Sequence, residues 1–276
     1  MKSHKVYFII TVFLVSVFLF LPQPSEARKK QKIKRVFCHS AILSDSTRGV
    51  RLFSKNINDR VLPASTTKVM TALIVLENLS LDQYVTVGPR ATAVQPSRID
   101  VRPGEQYKVK DLLYALLLNS ANDASIVLAE AVAGSETKFV GMMNNRARQL
   151  GAQHTKFANS NGLPTRISQY TSAYDMYLIF RTALKNNFFR DMVRRRYMVI
   201  YSKAGRRIFL KSHNTILFND WNKKIYGKTG YTRSAQACFV GSLQKGDNNI
   251  IVAVFGCTNR WDYIKYIVTK YAGISL

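Results

Sequence analysis

The chain has 276 residues, of which 47% are hydrophobic and 21% charged, with a formal net charge of +25 and an isoelectric point near 10.2. This composition excludes a disordered chain and is that of a globular protein large enough to bury a sizeable core. So strong a positive charge predicts anionic partners, and nucleic acid is the first class it suggests. The sequence has no helix-turn-helix, zinc-finger spacing or RNA-binding aromatic motif, so we expect no nucleic-acid partner.

The first 27 residues predict a secretory signal peptide. Lys2 and Lys5 precede an apolar run at 6–21, and a small-x-small cleavage site follows at 25–27. Cleavage would leave a basic arm at residues 28–37, which either contacts phosphates or lipid headgroups or is merely solvated. Were the segment an uncleaved anchor, the basic residues after it would favour retaining the chain in the cytoplasm. We expect cleavage and export.

Residue patterns predict the remaining elements in chain order. Alternation and turn residues predict strands at 40–45 and 50–55, a short strand at 84–87, a hairpin at 196–210 and a second hairpin that pairs 237–243 with 250–257. Helical periodicity covers 64–76, 109–150, 173–186 and 261–271, and 88–104 is an irregular connection. Strands at both ends with helices between them predict an α+β fold, with helices on an antiparallel sheet.

A Ser-x-x-Lys motif, Ser65 to Lys68, stands at the head of the first apolar helix. Pro63 suits a helix entry, and one turn then places both side chains on one face. A serine hydroxyl is a weak nucleophile until a base takes its proton, and lysine can do so only when neutral. Burial and nearby positive charge both lower a lysine pKa. Alone, the motif is weak, because most such matches are an exposed helix start with a solvated lysine.

Two further motifs follow in order. Ser120-Ala121-Asn122 lies between two amphipathic segments, and Lys228-Thr229-Gly230 enters a β-rich segment. Together with Ser-x-x-Lys they form the three-part signature of penicillin-recognising serine enzymes. From about residue 41 to 257, the chain resembles the low-molecular-mass penicillin-binding proteins, specifically the D-alanyl-D-alanine carboxypeptidases.

The resemblance implies a fold and a domain plan. It implies the penicillin-binding/β-lactamase-like transpeptidase fold, in which an antiparallel sheet flanked by helices is joined by a helical subdomain. Residues 38–276 would form the catalytic domain. We expect no C-terminal β domain of the kind that many relatives carry.

The resemblance also implies a role for each catalytic side chain. Ser65 would attack the carbonyl of the penultimate D-alanine, and Lys68 would act as its base. Ser120 would relay the proton to the leaving amine. Asn122 would hold Lys68 or the substrate amide in place.

Substrate binding falls to the third motif and the residue after it, Lys228, Thr229, Gly230 and Tyr231. A cationic amine beside a hydroxyl suits a substrate that ends in a free carboxylate, so Lys228 and Thr229 would receive that group. The backbone N–H groups of Ser65 and Tyr231 would form the oxyanion hole.

The predicted function is a serine-type carboxypeptidase that trims D-alanine from peptidoglycan stem peptides outside the cytoplasm, in the periplasm or on the outer face of the envelope, and that β-lactams inhibit covalently. The resemblance implies no metal or organic cofactor, and the histidines show no metal-ligand spacing. Two alternatives stay open: a DD-endopeptidase of the same family, or a non-catalytic binder of anionic envelope polymers. Unless it is merely solvated, the basic arm would contact such polymers or the membrane surface.

The three cysteines, Cys38, Cys238 and Cys257, are an odd number, so at least one is unpaired within the chain. If the last hairpin pairs Leu243 with Ile250, Cys238 and Cys257 lie diagonally on one face, ~7–8 Å apart. That separation is long for a disulfide. We therefore expect buried thiols unless the register shifts.

Overall fold

The computed structural model describes residues 36–219, 221 and 225–276. The predicted signal peptide and residues 28–35 of the predicted arm lie outside the described residues. None of the helices in the described ranges has both the length and the apolar character needed to cross a membrane.

A five-stranded antiparallel sheet forms the centre of the protein. Its strands are β1 (Ser40–Asp45), β2 (Val50–Lys55), β7 (Ile225–Thr232), β8 (Gln236–Lys245) and β9 (Asn248–Cys257), in the order β2-β1-β9-β8-β7. Every residue of β1 is buried, and the middle residues of β8 and β9 are buried without alternation. Such strands must be covered on both faces.

Helices cover both faces. They are α1 (Lys68–Asn78), α2 (Pro89–Thr92), α3 (Val109–Leu117), α4 (Asn122–Ala133), α5 (Glu136–Gln149), α6 (Ala173–Ala183), α7 (Asn187–Met192) and α8 (Arg260–Ile267). On one face, α6 packs against β9 and β1, and α1 packs against α6 and α4 within the larger core cluster. On the other face, α8 closes a smaller cluster that includes Leu43, Phe239, Val252 and Ile264.

Two small hairpins accompany the helices. β3 (Tyr84–Thr86) pairs with β4 (Gln106–Lys108), and β5 (Tyr197–Tyr201) pairs with β6 (Arg207–Lys211). The predicted α+β fold is therefore confirmed. Two local expectations are wrong: the connection 88–104 contains the short helix α2, and α7 was not predicted.

The predicted helical stretch 109–150 consists of three helices. The first break falls at Ser120, whose φ of 57° lies in the left-handed region, and the second at Gly134, with φ of 74°. A non-glycine residue in this region is uncommon and is typical of functional sites. The break turns the Ser120 hydroxyl away from the direction that a continuous helix would give it.

The expectation of three buried thiols is wrong for Cys38 and Cys257, which form a disulfide. β1 pairs with β9 so that Ser40 faces Phe255, and continuing this antiparallel register brings Cys38 opposite Cys257. The pairing of β8 with β9 does not predict which residues of β9 face β1, a strand from the other end of the chain. Cys238 is buried and carries a free thiol.

Candidate active site

Ser65 lies in a 3₁₀ turn, Ala64–Thr67, that leads directly into α1. The Thr66 hydroxyl donates to the Pro63 carbonyl at 2.6 Å and fixes this turn. Lys68, the first residue of α1, then falls one turn beyond Ser65. Its Nζ lies 3.1 Å from the Ser65 Oγ.

The Lys68 side chain is fully buried. Its Nζ lies 2.7 Å from Asn122 Oδ1 and 2.8 Å from the Asn161 carbonyl oxygen. Burial, and next the charge of Lys228, hold the pKa of Lys68 well below its ordinary value, against a smaller opposing effect of Asp123. The site therefore favours a neutral amine beside the serine.

Lys228 holds the hydroxyl of Ser120 by a hydrogen bond. Its Nζ donates to Ser120 Oγ and to the Thr229 carbonyl, both at 3.0 Å. The side chain is only 1% exposed. Burial, and next the charge of Arg260, lower the pKa of Lys228 to about 7.

The start of α4 holds a loop over the site. The Asn122 amide donates from Nδ2 to the Gln95 carbonyl at 2.8 Å, and its backbone N–H donates to the Ser97 carbonyl at 2.7 Å. The buried Asp123 carboxylate accepts the backbone N–H of Ile99 at 3.0 Å. The second motif thus fixes the loop as well as supplying Ser120 and Asn122.

These elements enclose a cavity of about 590 Å³. It is lined by Ser65, Ser97, Asn119, Ser120, Lys211, Ser212, His213, Thr215, Thr229, Gly230, Tyr231 and Arg260. Burial, and next the charges of Lys228 and Lys68, lower the pKa of His213. The walls thus carry hydroxyl groups and basic side chains.

Gly230 allows β7 to approach the reactive turn closely. A Cβ at this position would lie 3.1 Å from the Ser65 nitrogen and 3.2 Å from the Pro63 carbonyl oxygen. A larger residue would push the strand away from Ser65. Tyr231, the next residue, is 65% exposed beside the cavity.

The structure places all eight residues predicted for the site in this cluster. Five line the cavity: Ser65, Ser120, Thr229, Gly230 and Tyr231. The other three, Lys68, Asn122 and Lys228, are buried behind them.

Sequence reasoning missed Arg260, at the start of α8. Its Nη1 donates to the Gly230 carbonyl at 3.0 Å and to the Cys238 carbonyl at 3.2 Å, and it lines the cavity. In the sequence, Arg260 is recognisable only as a basic residue just after the last strand. It also missed the Asn161 carbonyl, because a backbone group has no sequence signature.

The fold and the site are those of the penicillin-recognising serine hydrolases. Residues 26–259 match the family model described as D-alanyl-D-alanine carboxypeptidase. The chain belongs to this family, as its motifs predicted.

Individual members of this family are similar to the chain over most of its length. The chain is 33% identical to the D-alanyl-D-alanine carboxypeptidase DacF of Bacillus subtilis, over 91% of this chain and 66% of the relative. It is 32% identical to DacC of Escherichia coli, over 91% of this chain and 64% of that protein. The chain thus spans slightly less than two thirds of these relatives.

Solved structures confirm the fold. A D-alanyl-D-alanine carboxypeptidase from Mycobacterium tuberculosis superposes with a TM-score of 0.79 at 29% identity, covering 86% of this chain and 90% of that chain. A Streptomyces DD-transpeptidase superposes with a TM-score of 0.78 at 27% identity, covering 86% and 97%.

Proposed function

We propose that this protein is a serine-type D-alanyl-D-alanine carboxypeptidase that removes the terminal D-alanine of peptidoglycan stem peptides through an acyl-enzyme on Ser65. One observation carries the proposal. The Ser65 hydroxyl lies 3.1 Å from the buried amine of Lys68, on the wall of a cavity that also presents a guanidinium group.

Acylation begins when neutral Lys68 takes the Ser65 proton and the oxygen attacks the carbonyl of the penultimate D-alanine. Negative charge develops on the carbonyl oxygen, which the backbone N–H groups of Ser65 and Tyr231 receive. Ser120 passes a proton to the amine of the departing D-alanine and regains one through Lys68. The peptide bond breaks as the ester forms.

Two residues of the cavity lining receive the terminal carboxylate. Thr229 offers a hydroxyl and Arg260 a guanidinium, and a charge-assisted pair of this kind is strong where water is excluded. Lys228 acts from behind, since its amine donates to Ser120 and is almost fully buried. This placement selects peptides that end in a free carboxylate.

Deacylation uses the same base. Once its proton has gone to the leaving group, Lys68 is neutral again and can take a proton from a water that attacks the ester.

In the described ranges, no group of three or more acidic, histidine or cysteine side chains could hold a metal ion.

The same site would bind β-lactams covalently, because their strained amide presents a carbonyl beside a carboxylate. We place the enzyme outside the cytoplasm, in the periplasm or on the outer face of the envelope, where peptidoglycan lies. The basic arm at 28–37 would contact anionic envelope polymers or the membrane surface.

The test is release of D-alanine from a synthetic tripeptide, diacetyl-L-lysyl-D-alanyl-D-alanine. Wild-type protein should release one D-alanine per peptide, and Ser65→Ala should release none above background. Lack of release by folded wild-type protein would overturn the proposal.

A further inference from the structure

The backbone carbonyl of Asn161 helps to orient the amine of Lys68. Nζ lies 2.8 Å from this carbonyl oxygen, 2.7 Å from Asn122 Oδ1 and 3.1 Å from Ser65 Oγ. A neutral amine has two N–H groups and one lone pair. When the oxygens of Asn122 and Asn161 accept the two N–H groups, the lone pair faces the Ser65 hydroxyl, whose proton it takes. The direction of the lone pair therefore depends on where the Asn161 carbonyl lies.

The residue before Asn161, Ser160, is fully buried, and each of its polar groups has a partner. Its carbonyl accepts the Thr71 hydroxyl of α1 at 2.6 Å. Its backbone N–H and its hydroxyl both donate to Oε1 of Glu136, at 2.9 Å and 2.6 Å. One carboxylate oxygen thus receives both donors of the residue that is joined to Asn161.

Glu136 is the half-buried first residue of α5, an end of a helix at which the helix dipole favours negative charge. Its carboxylate lies outside the lining of the cavity that contains Ser65. It can therefore affect the reaction only through the residues that it holds.

The segment that Glu136 holds is packed tightly against the reactive turn. Gly162 follows Asn161, and a Cβ at Gly162 would lie 1.8 Å from the Ala64 carbonyl oxygen, next to Ser65. Residues 160–162 thus lie between α5 and the turn that carries the nucleophile. A shift at Ser160 would move the Asn161 carbonyl, because the two residues are directly bonded.

Loss of the Glu136 carboxylate would produce such a shift. It would leave the backbone N–H and the hydroxyl of Ser160 buried without this acceptor, and burying an unsatisfied donor costs free energy. The segment would move to find other partners. The amine of Lys68 would then lose the acceptor that directs its lone pair towards Ser65.

We propose that Glu136 is a positioning residue for the reaction: it holds Ser160, and through the Asn161 carbonyl it sets the direction of the Lys68 lone pair. The proposal rests on the proposed function, in which Lys68 takes the Ser65 proton. What the site requires at this position is an acceptor oxygen rather than a negative charge, because both donors of Ser160 are neutral.

The test is the rate of labelling by benzylpenicillin as a function of its concentration, which separates the dissociation constant of the first, non-covalent complex from the rate constant of acylation. Glu136→Ala should lower the acylation rate constant by about 10- to 100-fold, the order expected when a reacting group is misplaced. The dissociation constant should not change, and labelling should still reach one adduct per molecule. A variant that was merely less well folded would lose adduct and keep the wild-type rate constant in its folded fraction.

Three further variants separate the possible causes. Glu136→Gln keeps an acceptor oxygen and should acylate within about threefold of the wild-type rate. Ser160→Ala removes one of the two donors and should cause a smaller loss than Glu136→Ala. Glu77→Ala is the matched control, because it removes the 2.6 Å ion pair between α1 and Arg146 of α5 but leaves Ser160 its partners. This variant should acylate at the wild-type rate.

An unchanged acylation rate constant in Glu136→Ala would overturn the proposal, and so would equal losses in the Ala and Gln variants or in Glu77→Ala. If Glu136→Ala does not fold, Ser160→Ala decides, and a wild-type rate constant in that variant would overturn the proposal. Each of these results leaves the carboxypeptidase intact. No adduct and no D-alanine release with folded wild-type protein would overturn the proposed function, and this proposal with it.

Discussion

The amine of Lys68 and the hydroxyl of Ser65 lie 3.1 Å apart, and this contact defines the protonation state in which the site can react. The other two neighbours of Nζ, Asn122 Oδ1 and the Asn161 carbonyl, are acceptors only. A neutral amine has two N–H groups for these two oxygens. Its lone pair then faces the Ser65 hydroxyl, which donates to it.

Removing the base should slow acylation without removing the cavity. Lys68→Ala should lower the rate of labelling by benzylpenicillin by about 10²- to 10⁴-fold, the range for loss of a general base. The wild-type rate should rise from acid towards neutral pH as Lys68, with its lowered pKa, loses its proton. A variant that keeps the wild-type rate and pH profile would show that Lys68 is not the base.

Arg260 should matter for substrates that carry a terminal carboxylate. Arg260→Ala should lower kcat/KM for such peptides by about 10- to 100-fold, because a hydrogen bond to a charged group contributes about 1.5–3 kcal/mol. The loss should be smaller for a peptide amide of the same sequence and smaller in Arg260→Lys. Equal losses on acid and amide would instead indicate that Arg260 serves to hold the Gly230 and Cys238 carbonyls.

The buried Lys228 should make stability depend on pH. Its pKa is about 7 in the folded protein and about 10.4 when unfolded, so between these values the unfolded chain binds more protons. The free energy of unfolding contributed by this group therefore rises with pH, by at most about 1.4 kcal/mol per unit.

Lys228→Met removes that contribution. Relative to wild type, the variant should be most favoured at pH 7 and should lose this advantage steadily at pH 8 and 9, measured by urea unfolding. A difference in unfolding free energy that stays constant with pH would contradict the lowered pKa.

The disulfide should stabilise the sheet. Cys38 and Cys257 are separated by 219 positions, and a bridge that closes a long loop typically contributes about 2–4 kcal/mol. The double variant Cys38→Ser, Cys257→Ser should unfold at lower urea concentration, and a reductant should destabilise wild type but not the variant. A wild-type unfolding midpoint unaffected by reductant would argue against the bridge.

Much of the fold could be predicted because local patterns determine it. Apolar and polar residues alternate at 197–211, and Ile200 and Leu210 are the buried ones. This local alternation is enough to predict the hairpin. Three short motifs in a fixed order identified Ser65, Lys68 and Ser120, because each motif is recognised from a few neighbouring residues.

The remaining features depend on distant contacts. The bridge to Cys38 requires β1 to pair with β9, which no local pattern records. Arg260 is one of 41 lysines and arginines, and only its place beside Gly230 distinguishes it. The helical periodicity continues through Ser120, so it does not predict the break in the helix there. The break is visible only in the backbone, where Ser120 adopts a left-handed conformation.

An acyl-enzyme at Ser65 is tested by the intact mass of the protein after exposure to benzylpenicillin, with Ser65→Ala as the control. We expect one adduct per wild-type molecule, located on the peptide that contains Ser65, and none on the variant. An adduct that persists in folded Ser65→Ala, or no adduct on folded wild type, would contradict an acyl-enzyme at this serine.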